Sequence, residues 1–241
     1  AASDVYKRQR LQGLGDIMKG SLKEGISHLQ DAIKTFSSSP ARDEHLYNLA
    51  AAYSWIGEAF RHSMEYEKAM EYYHKALEIG GSNFLVSGVS VFYAYAGMAA
   101  YDSGNLCSAK EYLTESIARY EQGNLMWGRS LPYSYYAQIL LRQGEYEEAL
   151  KNLETALGYA EKLENPYEMG IIYRIYAQIK TGGYPVNALP GDTAYYYGKA
   201  RELLQGVYSP VDERYLATIA ESIRESVSYT HLRAHETVLD L

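Results

Sequence analysis

Apolar positions recur along this chain with helical spacing, and the pattern then recurs as whole blocks. In the stretch AAYSWIGEAFRHSMEYEKAMEYYHKALEI, large rings and aliphatics fall at Tyr53, Ile56, Phe60 and Tyr73, and small residues at Gly57, Ala69 and Ala76. Spacings of three and four place each set on one helical face. The block therefore predicts two amphipathic helices joined by a short turn. It repeats every 40 residues: Tyr53, Tyr93, Tyr133 and Tyr173 share one column, and Gly57, Gly97, Ala137 and Ala177 a second. Ala69, Ala109 and Ala149 form a third, and Leu77, Ile117 and Leu157 a fourth. The small columns mark where the two helices of a unit cross most closely. Gly104 and Gly144 fall where a first helix ends and a left-handed backbone is wanted.

The expected architecture is all-α, a solenoid with units near 10–37, 50–83, 90–123, 130–165 and 170–206 and a partial unit at 210–226. The flanking units are less regular. Gly13, Gly20, Leu22, Gly25, Leu29 and Ala32 carry the pattern in the first, and the linker FSSSPARDE lengthens the step to the second. In the last full unit TGGYPVNALPGD replaces the tight turn, the second helix resumes over 193–205, and Leu216-Ala217 starts a fifth first helix, counted from the unit at 50–83.

The order Tyr53-x2-Ile56-Gly57-x2-Phe60, then Ala69-x3-Tyr73 and Ala76, resembles the tetratricopeptide repeat, as does Tyr133, Tyr136, Ala137, Leu140, Gly144, Tyr146, Ala149, Leu153 and Ala156. That resemblance implies a right-handed superhelix of antiparallel helix pairs, here with helices lengthened by about a turn and a half. HEAT and armadillo repeats share a period near 40, but they lack this order of glycines, aromatics and alanines around the turn. The segment LPYSYYAQILLRQGEYEEALKNLETALGYAEKLENPYEMGIIYRIYAQIK is also similar to the C-terminal repeat arrays of bacterial multidomain regulators, such as ATP-dependent transcription activators of the maltose-regulator type. That likeness implies an effector domain outside this chain.

The two ends read as foreign. One permitted codon set for Asp4–Gln9, reverse-complemented and shifted by one base, completes a Ser226 codon and then encodes Val227, Ser228, Tyr229, Thr230 and His231. Such an inverted repeat resembles translated read-through of sequencing-library adapters. Residues 1–9 and 227–241 are therefore set aside, and 10–226 is expected to be a fragment of a larger protein. The pair His231-x3-His235 has metal-ligand spacing on a helix, but it falls inside the foreign stretch.

Composition narrows the function classes. A net charge of -7, from 23 Lys and Arg against 30 Asp and Glu, argues against nucleic acid or an anionic membrane as the partner. No apolar run approaches the ~20 residues of a spanning helix. Twenty-six tyrosines against four phenylalanines and two tryptophans supply inter-helix filling, and Tyr is also a favoured contact residue. Tyr195-Tyr196-Tyr197 cannot all face inward on one helix, so at least one is expected to be exposed.

Catalytic chemistry is not apparent. No phosphate-binding or dinucleotide motif occurs, and Gly182-Gly183 precedes Tyr184-Pro185 as in a turn. Glu58 and His62 lie four apart with Arg61 beside them, and the reading preferred is a solvated groove wall. His74 between Glu71 and Glu78 reads as an exposed face. Cys107, the single cysteine, has no activating neighbour in its own segment and is expected to be buried and structural, which suits a reducing compartment and hence the cytoplasm. No metal, cofactor or catalytic residue is assigned, and the chain is expected not to be an enzyme.

In tetratricopeptide proteins the first helices line the concave side. The corresponding stripe here runs Ser54, Glu58 and Arg61, then Ala94, Met98 and Tyr101, then Ser134, Gln138 and Leu141, and finally Arg174 and Gln178. A step of four then three keeps each set on one face. With Arg142, these residues form the candidate binding surface for a protein or peptide, with Arg61, Arg142 and Arg174 giving charge selectivity. The Lys–Asn carboxylate clamp of chaperone-binding modules has no counterpart at Ser54/Glu58, Ala94/Met98, Ser134/Gln138 or Arg174/Gln178. The expected function is a non-catalytic protein- or peptide-binding module, with a ligand- or peptide-sensing arm of a bacterial regulator as the alternative; oligomeric state is left open. Replacing Tyr101, Gln138 and Arg174 by Ala is expected to abolish capture and spare stability.

Overall fold

A computed structural model describes residues 2–38, 46–82, 88–123, 125–185 and 189–239, with side chains for 8–38, 46–80, 88–123, 125–185 and 189–226. The described residues form helices α1 (Ala2–Met18), α2 (Leu22–Ser38), α3 (Leu46–His62), α4 (Tyr66–Ser82), α5 (Val89–Asp102) and α6 (Leu106–Gln122). They continue as α7 (Ser130–Gln143), α8 (Tyr146–Lys162), α9 (Pro166–Thr181), α10 (Thr193–Leu204) and α11 (Pro210–Leu239), with no strand. Each odd helix packs antiparallel on the even helix that follows it, and each even helix packs on the next odd one. The result is an all-α superhelix of tetratricopeptide type.

The turn between helices is the same device used repeatedly. Gly20, Gly104 and Gly144 have φ of 88°, 89° and 81°. Each is flanked by a six-to-one backbone bond: Ser21 N to Asp16 O at 2.9 Å, Asn105 N to Ala100 O at 2.9 Å and Glu145 N to Leu140 O at 2.9 Å. These are Schellman closures that satisfy the last carbonyls of the first helix. The second unit makes the same bond, Glu65 N to Phe60 O at 2.8 Å, but with Met64 at φ 62° in the glycine position. Asn105 and Asn165 then cap α6 and α9 by accepting from the amides of Ser108 and Glu168.

The small columns are where the hairpins are tightest. A Cβ on Gly57 would sit 2.5 Å from the Tyr73 ring, and one on Gly97 2.6 Å from Leu113. Ala69, Ala109 and Ala149 are wholly buried. The main core runs continuously from α3 to α11, as in a solenoid where each unit covers its neighbour's apolar face. Tyr195 is exposed while Tyr196 beside it is buried.

Two expectations are corrected. Cys107 is exposed, with Sγ 3.9 Å from Glu111 Oε1. It follows the Asn105 cap in the first turn of α6, and Ala109 takes the inward position instead. Glu58 and His62 are buried, not solvated, because α11 lies against α3 and α9 on the inner side of the superhelix. His231 and His235 lie on the α11 backbone, but their side chains fall outside the described residues, as does most of the FSSSPARDE linker.

Candidate functional site

The inner side of the superhelix is lined by α3, α5, α7 and α9, and α11 closes over it. The residues of the sequence stripe divide accordingly. Ser54, Arg61, Met98, Ser134 and Arg174 are at most 1% exposed, and Glu58, Tyr101, Gln138 and Leu141 between 5% and 7%. Gln178 is half-buried and Arg142 exposed. The stripe therefore faces a closed interior and not an open groove.

At the α3 end this interior holds a charge network. Arg61 makes a bidentate pair with Glu58, Nε to Oε1 at 2.8 Å and a terminal nitrogen to Oε2 at 3.0 Å. Its other terminal nitrogen donates to Asp102 Oδ2 at 3.1 Å. Against the burial that would raise it, the Arg61 guanidinium draws the Glu58 carboxyl below its ordinary value, and the Tyr73 hydroxyl donates to it. Burial pushes Asp102 upward, opposed by Arg61 and Arg174. The Tyr215 hydroxyl of α11 donates to its other oxygen at 2.9 Å.

Helix α11 enters with its N-terminal turn. Ser209 caps it, donating to Asp212 at 2.6 Å and receiving a bond from the Asp212 amide at 3.4 Å, with Pro210 at the first helical position. His62 Nδ1 lies 2.9 Å from the Ser209 hydroxyl and 3.6 Å separate its Nε2 from Glu58. Burial, helped by Arg61, lowers the imidazole to about 4, so it is neutral at pH 7. The row Ser209–His62–Glu58 has the members of a nucleophile triad. Its serine is tied into a helix cap and is 2% exposed, and its carboxylate is committed to Arg61, so it serves as a structural joint.

Arg174 is the least satisfied member. Its Nε lies 3.1 Å from Asp212 Oδ1 without the alignment of a hydrogen bond. Its guanidinium stacks 4.2 Å over the Tyr215 ring, and one terminal nitrogen donates to Gln178 Oε1 at 2.8 Å. The other has no partner. Ser54 Oγ, Tyr135 OH and Gln138 Nε2 are likewise buried and unpaired. Unpaired polar atoms at this density are uncommon in a finished core, where nearly all find partners.

Beside Arg174 the interior opens as a cavity of about 210 Å³ where α5, α7, α9 and α11 meet. Tyr101, Gln138, Leu141, Arg142 and Gln178 of the stripe line it, together with Ile219 from α11. Arg142 stacks 5.0 Å over the Tyr101 ring. Burial raises the Tyr101 phenol, opposed by Arg142 and Arg174, so it stays protonated at neutral pH. Larger cavities of about 500 and 560 Å³ lie between α10 and α11 and on the outer side around α6 and α8. Neither gathers the inner-face residues of several units. Asp102, Ser209, Asp212 and Tyr215 were not singled out from sequence. The Ser209-Pro210-x-Asp212 cap was the available signal, and it marks a helix start without saying where that helix docks.

Comparison with solved structures places this architecture. A Rap protein crystallised with competence and sporulation factor superposes with a TM-score of 0.70 at 14% identity, over 95% of this chain and 61% of that one. The chain shares its fold with the Rap proteins. Aspartyl phosphate phosphatase F from Bacillus subtilis matches at a TM-score of 0.62 and 13% identity, over 91% of this chain and 60% of that one. The apo form of RapI matches at 0.57 and 14%, over 90% and 85%. This chain thus spans about three fifths of the length of the first two. It matches no family model and no curated protein by sequence.

Proposed function

We propose that this chain is a binding module that takes a peptide or extended protein segment into the interior enclosed by α5, α7, α9 and α11. In this reading 10–226 is the native part of a longer, cytoplasmic protein, and the chain itself catalyses no reaction. One observation carries the reading: inner-face side chains from successive repeats, Tyr101 of α5, Gln138, Leu141 and Arg142 of α7 and Gln178 of α9, converge with Ile219 of α11 on one cavity. A neighbour of the same fold is described in complex with a separate factor, which supports sensing of a ligand by a regulator over passive scaffolding.

The test pans immobilised protein against pooled random hexapeptides and reads the retained sequences by mass spectrometry. An enriched set retained by the wild type and lost from Arg142→Glu supports the reading. No enrichment, or equal enrichment by both proteins, refutes it. Arg142 is the better probe than Arg174 or Tyr101, because both of those are buried and their removal would disturb the fold.

A further inference from the structure

We infer that the outer cavity between α6, α7 and α8 is a second binding site, taking a flat, uncharged aromatic ring that carries a hydrogen-bond donor at its edge, the chemistry of a phenol. The site lies on the outer side of the superhelix, away from the interior proposed for a peptide, and does not depend on a peptide binding there.

The 40-residue repeat locates it. In the unit at 90–123, Tyr112 of α6 packs its ring 6.3 Å from that of Tyr93 on α5, and its hydroxyl lies 2.9 Å from His74 Nε2 on α4, the preceding second helix. One unit earlier Tyr72 stands against Tyr53, again at 6.3 Å. Forty residues beyond His74, Tyr93 and Tyr112 stand Thr114, Tyr133 and Asn152. The ring on the first helix is kept, and the other two rings are gone. Thr114, Tyr133 and Asn152 all line one cavity of about 560 Å³. The space thus opens at the interface where two rings drop out of their columns. Tyr159 does pack 5.8 Å from Tyr133. It stands in the column of Arg119, which stacks 4.8 Å over Tyr93, and so leaves the place of Tyr112 unfilled.

The polar lining sets the chemistry. Thr114 and Thr155 spend their hydroxyl protons on the carbonyls of Lys110 and Lys151, each at 2.8 Å, so their oxygens remain as acceptors. Asn152 spends its amide nitrogen in the same way, donating to Glu148 O at 2.8 Å, which leaves its carbonyl oxygen to accept. The Tyr133 hydroxyl donates to Glu121 at 3.3 Å. The charged lining residues are two cations, Arg129 and Lys151, and two carboxylates, Glu121 and Glu148. Lys151 lies 4.0 Å from Glu148, and the Arg129 guanidinium stacks 4.7 Å over the Tyr159 ring. With the charges balanced, the cavity selects no ion. A neutral ring beside Tyr133 gains the offset contact that Tyr112 makes with Tyr93, and an O–H or N–H at its rim supplies the donor that the threonine and asparagine oxygens lack. The volume falls within the ~300–1,000 Å³ of small-ligand sites, so there is room for substituents on the ring.

Two sources share that chemistry, a small phenolic compound and a tyrosine side chain, and the experiment separates them. The full chain is titrated with p-cresol, with 4-methylanisole, which has the same ring without the O–H, and with N-acetyltyrosinamide, and binding is read from the ligand signals by saturation-transfer NMR. The expected result is that p-cresol binds about fivefold more tightly than 4-methylanisole, the factor for one net neutral hydrogen bond. Two variants place the binding. Asn152→Tyr puts back the ring that the repeat has at 72 and 112, and is expected to abolish p-cresol binding while raising the melting temperature by about 2–4 °C, as filling a cavity does. Thr114→His restores the other ring at an exposed position and is expected to weaken binding severalfold with the circular dichroism spectrum unchanged. It decides the matter if Asn152→Tyr fails to fold. Binding of N-acetyltyrosinamide as tight as that of p-cresol supports the site with a tyrosine side chain as source, and binding of p-cresol alone supports it with a small phenol. Equal binding of p-cresol and 4-methylanisole overturns the assignment of a donor-bearing ring. No binding, or binding unchanged in the folded variants, overturns the site.

Discussion

Met64 holds a left-handed backbone at the position where the next two units have glycine, Gly104 and Gly144, each 40 residues further on. A side chain there costs about 1–2 kcal/mol, and the unfolded-state freedom of glycine returns part of that. Met64→Gly is therefore expected to stabilise the fold by about 0.5–1 kcal/mol, raising the melting temperature by about 2 °C for a chain of this size. Thermal unfolding checks it. An unchanged or lower value would mean that the half-exposed Met64 side chain contributes packing that the backbone angle conceals. His62 makes a second prediction at this scale. Buried by α11 and facing Arg61, Glu58, Ser209 and Asp212, it is held near 4 against an unfolded value of about 6.5. The folded state thus resists a proton that the unfolded state accepts, so stability is full above about pH 6.5 and falls as pH drops toward 4. Between pH 6.5 and 5 the loss is expected to be about 2 kcal/mol. Asp102 and Glu168, whose carboxyls burial raises, titrate in the opposite sense. The slope belonging to His62 is therefore read as the difference between wild type and His62→Gln in urea unfolding at the two pH values. If the variant shows the same slope, the imidazole is not the group responsible.

Among the elements, α11 has the largest consequence, and its role was the least legible. The hairpins α3/α4, α5/α6 and α7/α8 could be read from the sequence because each repeats one local pattern: an aromatic face, a small crossing residue, a glycine closure. Helix α11 could be read as a helix too, since Ser209-Pro210-x-Asp212 is a strong start. Its docking could not, because that depends on the cumulative turn of the superhelix, and no short-range spacing encodes it. For the same reason the inner stripe was identifiable as one face of four helices while its solvation was not. Arg61 and Arg174 look like selectivity charges in sequence, yet in the fold they are sealed against Glu58, Asp102 and Asp212. A prediction belongs to this docking. Asp212→Ala removes the α11 carboxylate beside fully buried Arg174 and should cost about 3 kcal/mol, the scale for leaving a buried charge unmatched. Adding Arg174→Met should recover much of it, because an apolar pair of similar size costs little. Denaturant unfolding of the single and double variants measures both steps, and a double variant no more stable than the single one would show that Asp212 acts through the Ser209 cap and not through Arg174.

At the scale of the molecule, curvature brings the two ends of the described solenoid together. The Tyr208 amide, in the α10–α11 connection, donates to Met18 O at 2.9 Å, and its ring packs on Gly20, where a Cβ would lie 2.9 Å from it. Gly20 is thus required twice, by its positive φ and by this contact. The consequence concerns cooperativity. In an open solenoid each unit meets only its neighbours, so a change at one end reaches the other only through every intervening interface. Here the first turn and the last connection touch directly, and the interior they enclose includes the Arg61, Asp102 and Tyr215 network that spans α3, α5 and α11. Local opening at one end should therefore loosen the other before the middle units respond. Tyr208→Ala tests this, since it removes a side chain at one end of the sequence and the readout is taken at the other. Hydrogen exchange at the amides of Gly20 and Ser21, which bond to Ile17 O and Asp16 O within the α1–α2 turn, should accelerate severalfold, while amides in α6 and α8 keep wild-type rates. Unchanged exchange at Gly20 and Ser21 would mean that the contact closes the ring in shape only. In that case the peptide proposed for the interior could displace α11 without the first unit taking any part, whereas energetic closure would make its binding and the ordering of the first turn a single equilibrium.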